Sequence, residues 1–159
     1  MVPNVPPGTY VLIDKMTPTW DGHEYARGDV VVLTSPTGGT TPLIKRIIGL
    51  PGETLTILDG VVWISSARSE PMFLDEPYIN AGPGVRSGAA SCPTQTGCNQ
   101  TYEVPAGHYF VMGDNRPESS DSREFGPIAA ETLIGRAWVR YFPIPLLGVV
   151  ERPSYAPGP

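Results

Sequence analysis

Brief apolar runs, separated by Gly, Pro and Thr, set the pattern of this chain. Tyr10-Val11-Leu12-Ile13, Asp29-Val30-Val31-Val32-Leu33 and Leu43-Ile44-Lys45-Arg46-Ile47-Ile48 are too short for helices and rich in β-branched side chains, which predicts buried strands. Glu53-Thr54-Leu55-Thr56-Ile57-Leu58 alternates polar with apolar, and Asp59-Gly60 then leads into Val61-Val62-Trp63-Ile64. Together they predict a hairpin closed by a type I′ turn. Residues 65–101 lack periodicity and predict an inserted, loop-rich lobe over roughly 65–106 with short strands of its own. Tyr109-Phe110-Val111-Met112 restores the strand pattern, and Leu133 to Phe142, where apolar and polar residues partly alternate, predicts a long final strand. Helix is scarce: Ala129 to Leu133 and Glu118 to Arg123 suit a turn or two, the second of 3₁₀ type. Trp138 reads as core, whereas the Pro-broken segment 142–150 fits either core or a membrane-facing surface. The expectation is a mostly β single domain of antiparallel sheets around the Lys45 strand, with its core over about 1–64 and 107–150 and a frayed tail at 151–159.

Composition narrows this picture. A length of 159 residues suits one domain with a sizeable core. Gly (18) and Pro (19) approach the level of low-complexity chains, but 40% hydrophobic and 17% charged residues favour a folded, turn-rich β protein. Lys+Arg 11 against Asp+Glu 16 leaves a net charge of −5, which repels phosphate backbones, so nucleic acid is excluded as a partner. No run reaches the roughly 18 apolar residues of a membrane span, and Met1 to Pro7 has neither the cationic nor the apolar region of a signal peptide, so the chain itself reads as soluble. Cys92 and Cys98 flank a polar loop whose spacing matches no common zinc pair, and only His23 and His108 add nitrogen ligands; neither metal nor cofactor is expected. Two readings of the cysteines stand: a small disulfide ring worth roughly 2 kcal/mol in an oxidising compartment, or two free thiols.

The chemistry concentrates in two places. Alternation puts Lys45 on one strand face with Leu43 and Ile47, and Arg46 on the other with Ile44 and Ile48. Burial lowers the pKa of an amine, so a dry lysine becomes a neutral base near pH 7, whereas a guanidinium keeps its proton and must find a carboxylate. The plainer alternative is an edge strand with both heads reaching water. The second place is Met112 to Gly126, which packs Arg116, Arg123, four acidic residues and three serines between glycines. It is either a turn with solvated charges or a site. A base on a strand beside a hydroxyl-rich loop is what serine chemistry needs when no Ser-His-Asp set is at hand, and neither histidine lies in a suggestive context.

Several segments, in order, carry a resemblance. Met1-Val2-Pro3 with Pro7 to Leu12, then Arg27-Gly28-Asp29-Val30-Val31-Val32, then Leu43 to Glu53, and finally Gly113-Asp114-Asn115-Arg116 with Ser119, Asp121-Ser122-Arg123 and Gly126 are similar to four boxes of the type I signal peptidases. These are membrane-anchored Ser-Lys endopeptidases that remove signal peptides from exported preproteins. The resemblance runs from Met1 to about Phe142 and implies the coiled antiparallel sheets of that family. It implies that Lys45 is the general base, that Ser119 holds the lysine amine, and that Asp121 with Arg123 stiffens the loop. Arg46 is expected to find its carboxylate there, with Asp114 the first choice; Asn115, Arg116 and Ser122 complete the scaffold. Small pockets lined by Met1, Pro3, Val5, Val11, Val32, Leu43 and Ile44 would accept Ala-like side chains of an extended Ala-x-Ala substrate, added to a sheet edge. Cys92 and Cys98 match in spacing a disulfide loop of some bacterial members.

In that family the nucleophilic serine immediately precedes the Met of Ser-Met-x-Pro, and a group assigned to the oxyanion hole and the membrane anchor lie further upstream. The sequence here begins at that Met, so the chain is expected to keep the fold and much of the groove but to lack peptidase activity. The parent protein is expected in the plasma membrane with this domain extracytoplasmic. Two other readings share the residues. Self-cleaving Ser-Lys regulators of the LexA and UmuD kind cut Ala-Gly bonds, and Ala81-Gly82 and Ala106-Gly107 occur here; a non-catalytic β module would capture extended peptides without cutting them.

Overall fold

The strand that holds Lys45 is apolar on both faces, and both faces are covered. The computed structural model describes residues 1–16, 25–58, 60–67, 69–79 and 99–155. Eleven strands are seen among them: β1 (Tyr10–Asp14), β2 (Val30–Leu33), β3 (Leu43–Gly49), β4 (Glu53–Leu58), β5 (Val61–Ser66), β6 (Ser69–Phe73), β7 (Gln100–Glu103), β8 (His108–Met112), β9 (Ile128–Ala129), β10 (Leu133–Phe142) and β11 (Gly148–Val149). Helix is confined to short pieces, including a 3₁₀ turn at Arg116–Glu118 and α1 at Ser122–Phe125. All pairings are antiparallel. A seven-stranded sheet runs β1-β10-β2-β3-β8-β9 with β11 on β10, and a four-stranded sheet runs β6-β5-β4-β7.

Period-two alternation sends neighbouring residues of β3 and β8 into different apolar clusters. Ile48, Phe110 and Met112 pack with Leu55, Ile57, Val62, Ile64, Leu74 and Val104, joining the small sheet to the large one. Ile47, Tyr109 and Val111 pack with Val31, Leu33 and Ile128 on the opposite face. Each fully buried aliphatic side chain contributes about 1.5–3 kcal/mol, so both faces of β3 are anchored. Where β10 turns from β2 towards β1, Gly135 is required: a Cβ there would stand 2.7 Å from the Asp14 carbonyl oxygen.

Three expectations need correction. The predicted hairpin pairs with β6 and β7 in the small sheet, so the boundary near residue 65 cuts through one sheet, while Leu55, Ile57, Val62 and Ile64 of that hairpin still pack in the shared core. The hairpin has a two-residue connection with Gly60 at φ +78, while Asp59 lies outside the described residues. Trp138 is 52% exposed, because alternation beside the buried Ala137 turns it outward. The tail does not fray before Tyr155. Arg152 ion-pairs with the buried Asp29 at 2.7 Å, and Pro153 and Tyr155 lie over Gly28, whose φ of +88 and lack of a Cβ leave room for both rings. No helix among the described residues is long and apolar enough to cross a membrane.

Candidate active site

β2 and β3 pair in regular register, which sets Val31 opposite Lys45 and Leu33 opposite Leu43. Lys45 thus stands among Val31, Leu43 and Ile47 on one face, and its Nζ donates to Ser119 Oγ at 3.0 Å. Burial pushes the amine below its ordinary value; the Asp121 carboxylate works against that shift and the Arg123 guanidinium works with it. Arg46, one position on, is buried on the opposite face. Its Nε and Nη2 donate to Asp114 Oδ1 and Oδ2 at 2.9 and 2.8 Å, its Nη1 donates to the Gly28 carbonyl at 2.8 Å, and its guanidinium lies 4.2 Å from the centre of the Tyr78 ring. Burial opposes that charge, but the hydrogen bonds and charge of Asp114 outweigh it and tighten the proton's hold.

The loop after β8 is built around Asp121. Its Oδ2 accepts from the Gly113 amide at 2.9 Å, its Oδ1 accepts from the Arg123 amide as the N-cap of α1, and both oxygens accept from the Arg123 guanidinium at 2.8 and 2.9 Å. Burial would raise this carboxyl, yet those bonds hold it below the ordinary carboxylate range. Arg123 Nη2 also donates to the carbonyls of Arg116 and Ser119, so the ion pair shapes the loop that carries the Ser119 hydroxyl. Ser122 Oγ accepts from the Val111 amide at 3.0 Å, stitching α1 to β8. Gly113 leaves the space Ser119 occupies: a Cβ there would stand 2.1 Å from Ser119 Oγ and 3.8 Å from Lys45 Nζ.

Arg116 points into the protein, donating to the Gly113 carbonyl at 3.1 Å and ion-pairing with buried Glu76. Glu76 also accepts from Tyr78 Oη at 2.7 Å, and Tyr78 meets Tyr155 Oη at 2.9 Å. Sequence reasoning named none of Glu76, Tyr78 and Tyr155. Their signal is weak, since all three lie in segments without periodicity. Asn115 bonds Glu118 at the surface, at 3.2 Å, rather than joining the Lys45 group.

The first residues close the site. Met1 Sδ accepts from the Asp114 amide at 3.4 Å, and the Met1 carbonyl accepts from Val5 at 2.7 Å. Burial lowers the pKa of the Met1 amine; Asp114 opposes this, and the positive charge of Lys45 adds to it, so the chain's first nitrogen lies within electrostatic reach of Lys45. The expected pocket residues divide. Leu43 shares the Lys45 face, Val32 and Ile44 pair on the Arg46 face, Val5 is buried, Val11 pairs with Arg140 in β1, and Pro3 is exposed. Cys92, Cys98, His23 and Ala81-Gly82 lie outside the described residues. Ala106-Gly107 sits at the far end of β8 from Gly113, a strand run of about 20 Å from the Lys45 end.

Chemically, this is an amine with a depressed pKa, held by one hydroxyl, beside a rigid charged loop and the start of the chain. Comparison with known proteins points the same way. A family model described as "Signal peptidase, peptidase S26" matches residues 1–142. Signal peptidase I V of Bacillus subtilis (strain 168) is 37% identical over 139 residues, 85% of this chain and 76% of that protein. Probable signal peptidase I-2 of Synechocystis sp. is 36% identical over 130 residues, 78% of this chain but 51% of that protein, so the chain spans about half of that relative's length. A crystal structure of a signal peptidase I from Enterococcus faecalis V583 superposes with a TM-score of 0.55 at 31% identity, over 71% of this chain and 96% of that one. With the match extending from the first residue through the end of β10, the chain belongs to the signal peptidase, peptidase S26, family.

Proposed function

We propose that this chain is the catalytic domain of a serine endopeptidase that removes signal peptides from exported preproteins, with Lys45 as the general base of a Ser-Lys dyad. The observation that carries the reading is the Lys45 amine, half-buried against aliphatic side chains and hydrogen-bonded to Ser119 Oγ at 3.0 Å. An exposed lysine near pH 7.4 is neutral in only about one molecule in a thousand; desolvation raises that fraction and with it the supply of usable base. The nucleophile in this reading is a serine joined directly before Met1. Its attachment point is the Met1 nitrogen, which feels the charge of Lys45.

In the reaction, neutral Lys45 takes the serine hydroxyl proton as the serine oxygen attacks the scissile carbonyl, then gives that proton to the departing amine. It next takes a proton from water as the water oxygen attacks the ester carbonyl, and gives that proton to the serine oxygen as the ester bond breaks, which restores the neutral amine and the serine hydroxyl. Ser119 keeps the amine aimed between these partners, and the Asp121–Arg123 pair keeps Ser119 in place. The substrate is an extended segment with small residues at the first and third positions before the cut, and the whole protein is anchored in the plasma membrane with this domain on its extracytoplasmic side.

Joining a serine directly before Met1 tests this. The extended protein is expected to cleave an Ala-x-Ala preprotein, while the 159-residue chain and an extended Lys45→Ala variant are not. An extended protein that folds and fails to cleave would refute the dyad; cleavage by the 159-residue chain above a Lys45→Ala control would refute the placement of the nucleophile.

A further inference from the structure

We infer that Asn4 is a positioning residue, tying the segment that starts at Met1 to the buried Arg46–Asp114 pair and so setting that segment's place relative to Lys45. This rests on the dyad reading for its catalytic consequence, but the tie itself is geometric. The two hydrogens of Asn4 Nδ2 are both used: one goes to Asp114 Oδ2 at 2.7 Å, the other to the Tyr78 carbonyl at 2.9 Å. The same Asp114 Oδ2 accepts from Arg46 Nη2 at 2.8 Å, and the Asp114 amide donates to Met1 Sδ at 3.4 Å. From the other side, Arg140 Nη1 in β10 donates to the Asn4 carbonyl at 2.9 Å. Asn4 is thereby clamped at side chain and main chain, between β10 and the residue paired with Lys45's own neighbour on β3.

The chemistry of the position selects asparagine. Both side-chain partners are acceptors, so the group between them must supply two hydrogens from one atom, which the amide does and a hydroxyl or carboxylate does not. An aspartate there would set a carboxylate against Asp114 and a carbonyl oxygen. Two residues, Val2 and Pro3, separate Asn4 from Met1, and this short arc is closed by the hydrogen bond from the Val5 amide to the Met1 carbonyl at 2.7 Å. A serine attached before Met1 has its reach to Lys45 decided by this arc. Misplacement by about 1 Å costs about a hundredfold in rate, so the tie bears on turnover rather than on substrate capture.

Two measurements test the inference, one independent of activity. In the 159-residue chain, Asn4→Ala is expected to shift the Met1 methyl resonance and to speed hydrogen exchange of the Val5 amide by about tenfold or more. An unchanged methyl resonance and unchanged exchange would overturn the tie. In the serine-extended protein, Asn4→Ala is expected to lower kcat by about 10- to 100-fold with KM within about twofold. A kcat equal to the parent's would overturn the positioning role. If the extended parent is itself inactive, the dyad reading fails, and the methyl and exchange data alone decide the inference. Should Asn4→Ala not fold, the isosteric Asn4→Asp, which keeps the shape and loses the donors, is expected to give the same two changes, and their absence counts against the inference in the same way.

Discussion

Lys45 and Arg46 are consecutive, yet one is held as a weak acid ready to lose its proton and the other as a permanent cation. Strand geometry makes the division: Lys45 meets aliphatic side chains and one neutral hydroxyl, Arg46 meets a carboxylate in bidentate geometry. The pH dependence follows from the sign of the Lys45 shift. A base is active when deprotonated, and burial brings the folded pKa below the ordinary 10.5, so activity of the serine-extended protein should rise with pH along a limb lying below that value. A limb at the position of an exposed lysine, measured as kcat/KM against pH, would contradict it. Gly113 is the second residue where a small change has a large effect. Gly113→Ala puts a methyl on the Ser119 hydroxyl, so the extended variant is expected to keep its circular dichroism spectrum and lose about a hundredfold or more in kcat as the serine that orients the amine is displaced.

Among elements, β3 and the 113–123 loop act as a pair because two ions bridge them. Removing one partner of the Arg46–Asp114 pair strands the other charge in a dry site. Arg46→Met is therefore expected to cost about 3–5 kcal/mol in urea unfolding, and Arg46→Met with Asp114→Leu clearly less than the sum of the two single changes. Asp121 gives the loop an acid limit. Its folded pKa lies below the ordinary value of 3.8, so its contribution is full above that pH and is lost as pH falls through the folded value; Asp121→Asn should lower stability at pH 7 and flatten the acid limb of a stability–pH profile. The sequence shows most of these elements. β-branched runs and alternation mark β2, β3, β4 and β10 well, since burial on one or both faces writes itself into the residue order. β6 and β7 are hidden, one with Pro71 at a sheet edge and the other four polar-rich residues that become a strand only through pairing with β4. The site is legible where a motif names it, at Lys45, Arg46, Asp114 and Ser119. Asn4, Glu76 and Tyr78 are not, because their partners lie 110, 40 and 77 residues away and only the fold brings them together.

At the scale of the molecule, two sheets share one apolar cluster, and the segment after β11 seals the buried charges between them. Arg152 caps Asp29, the Glu151 carbonyl accepts from Arg46, and Tyr155 reaches Tyr78, with its phenol pushed up to about 12, chiefly by burial. Tyr155→Ala is expected to lower stability by about 2 kcal/mol, seen as an earlier urea midpoint, through lost aromatic burial and a phenol of Tyr78 left with Glu76 alone.

The placement of β3 inside the seven-stranded sheet has a consequence for how the protein moves. With β2 on one side and β8 on the other, its amide protons are shielded from solvent until the sheet opens as a whole, whereas the 113–121 stretch is secured mainly by side-chain bonds. The lysine therefore rides a strand paired on both sides, and its serine partner a loop that opens more readily. Fluctuations between them on the microsecond-to-millisecond scale will be movements of the loop towards a stationary amine.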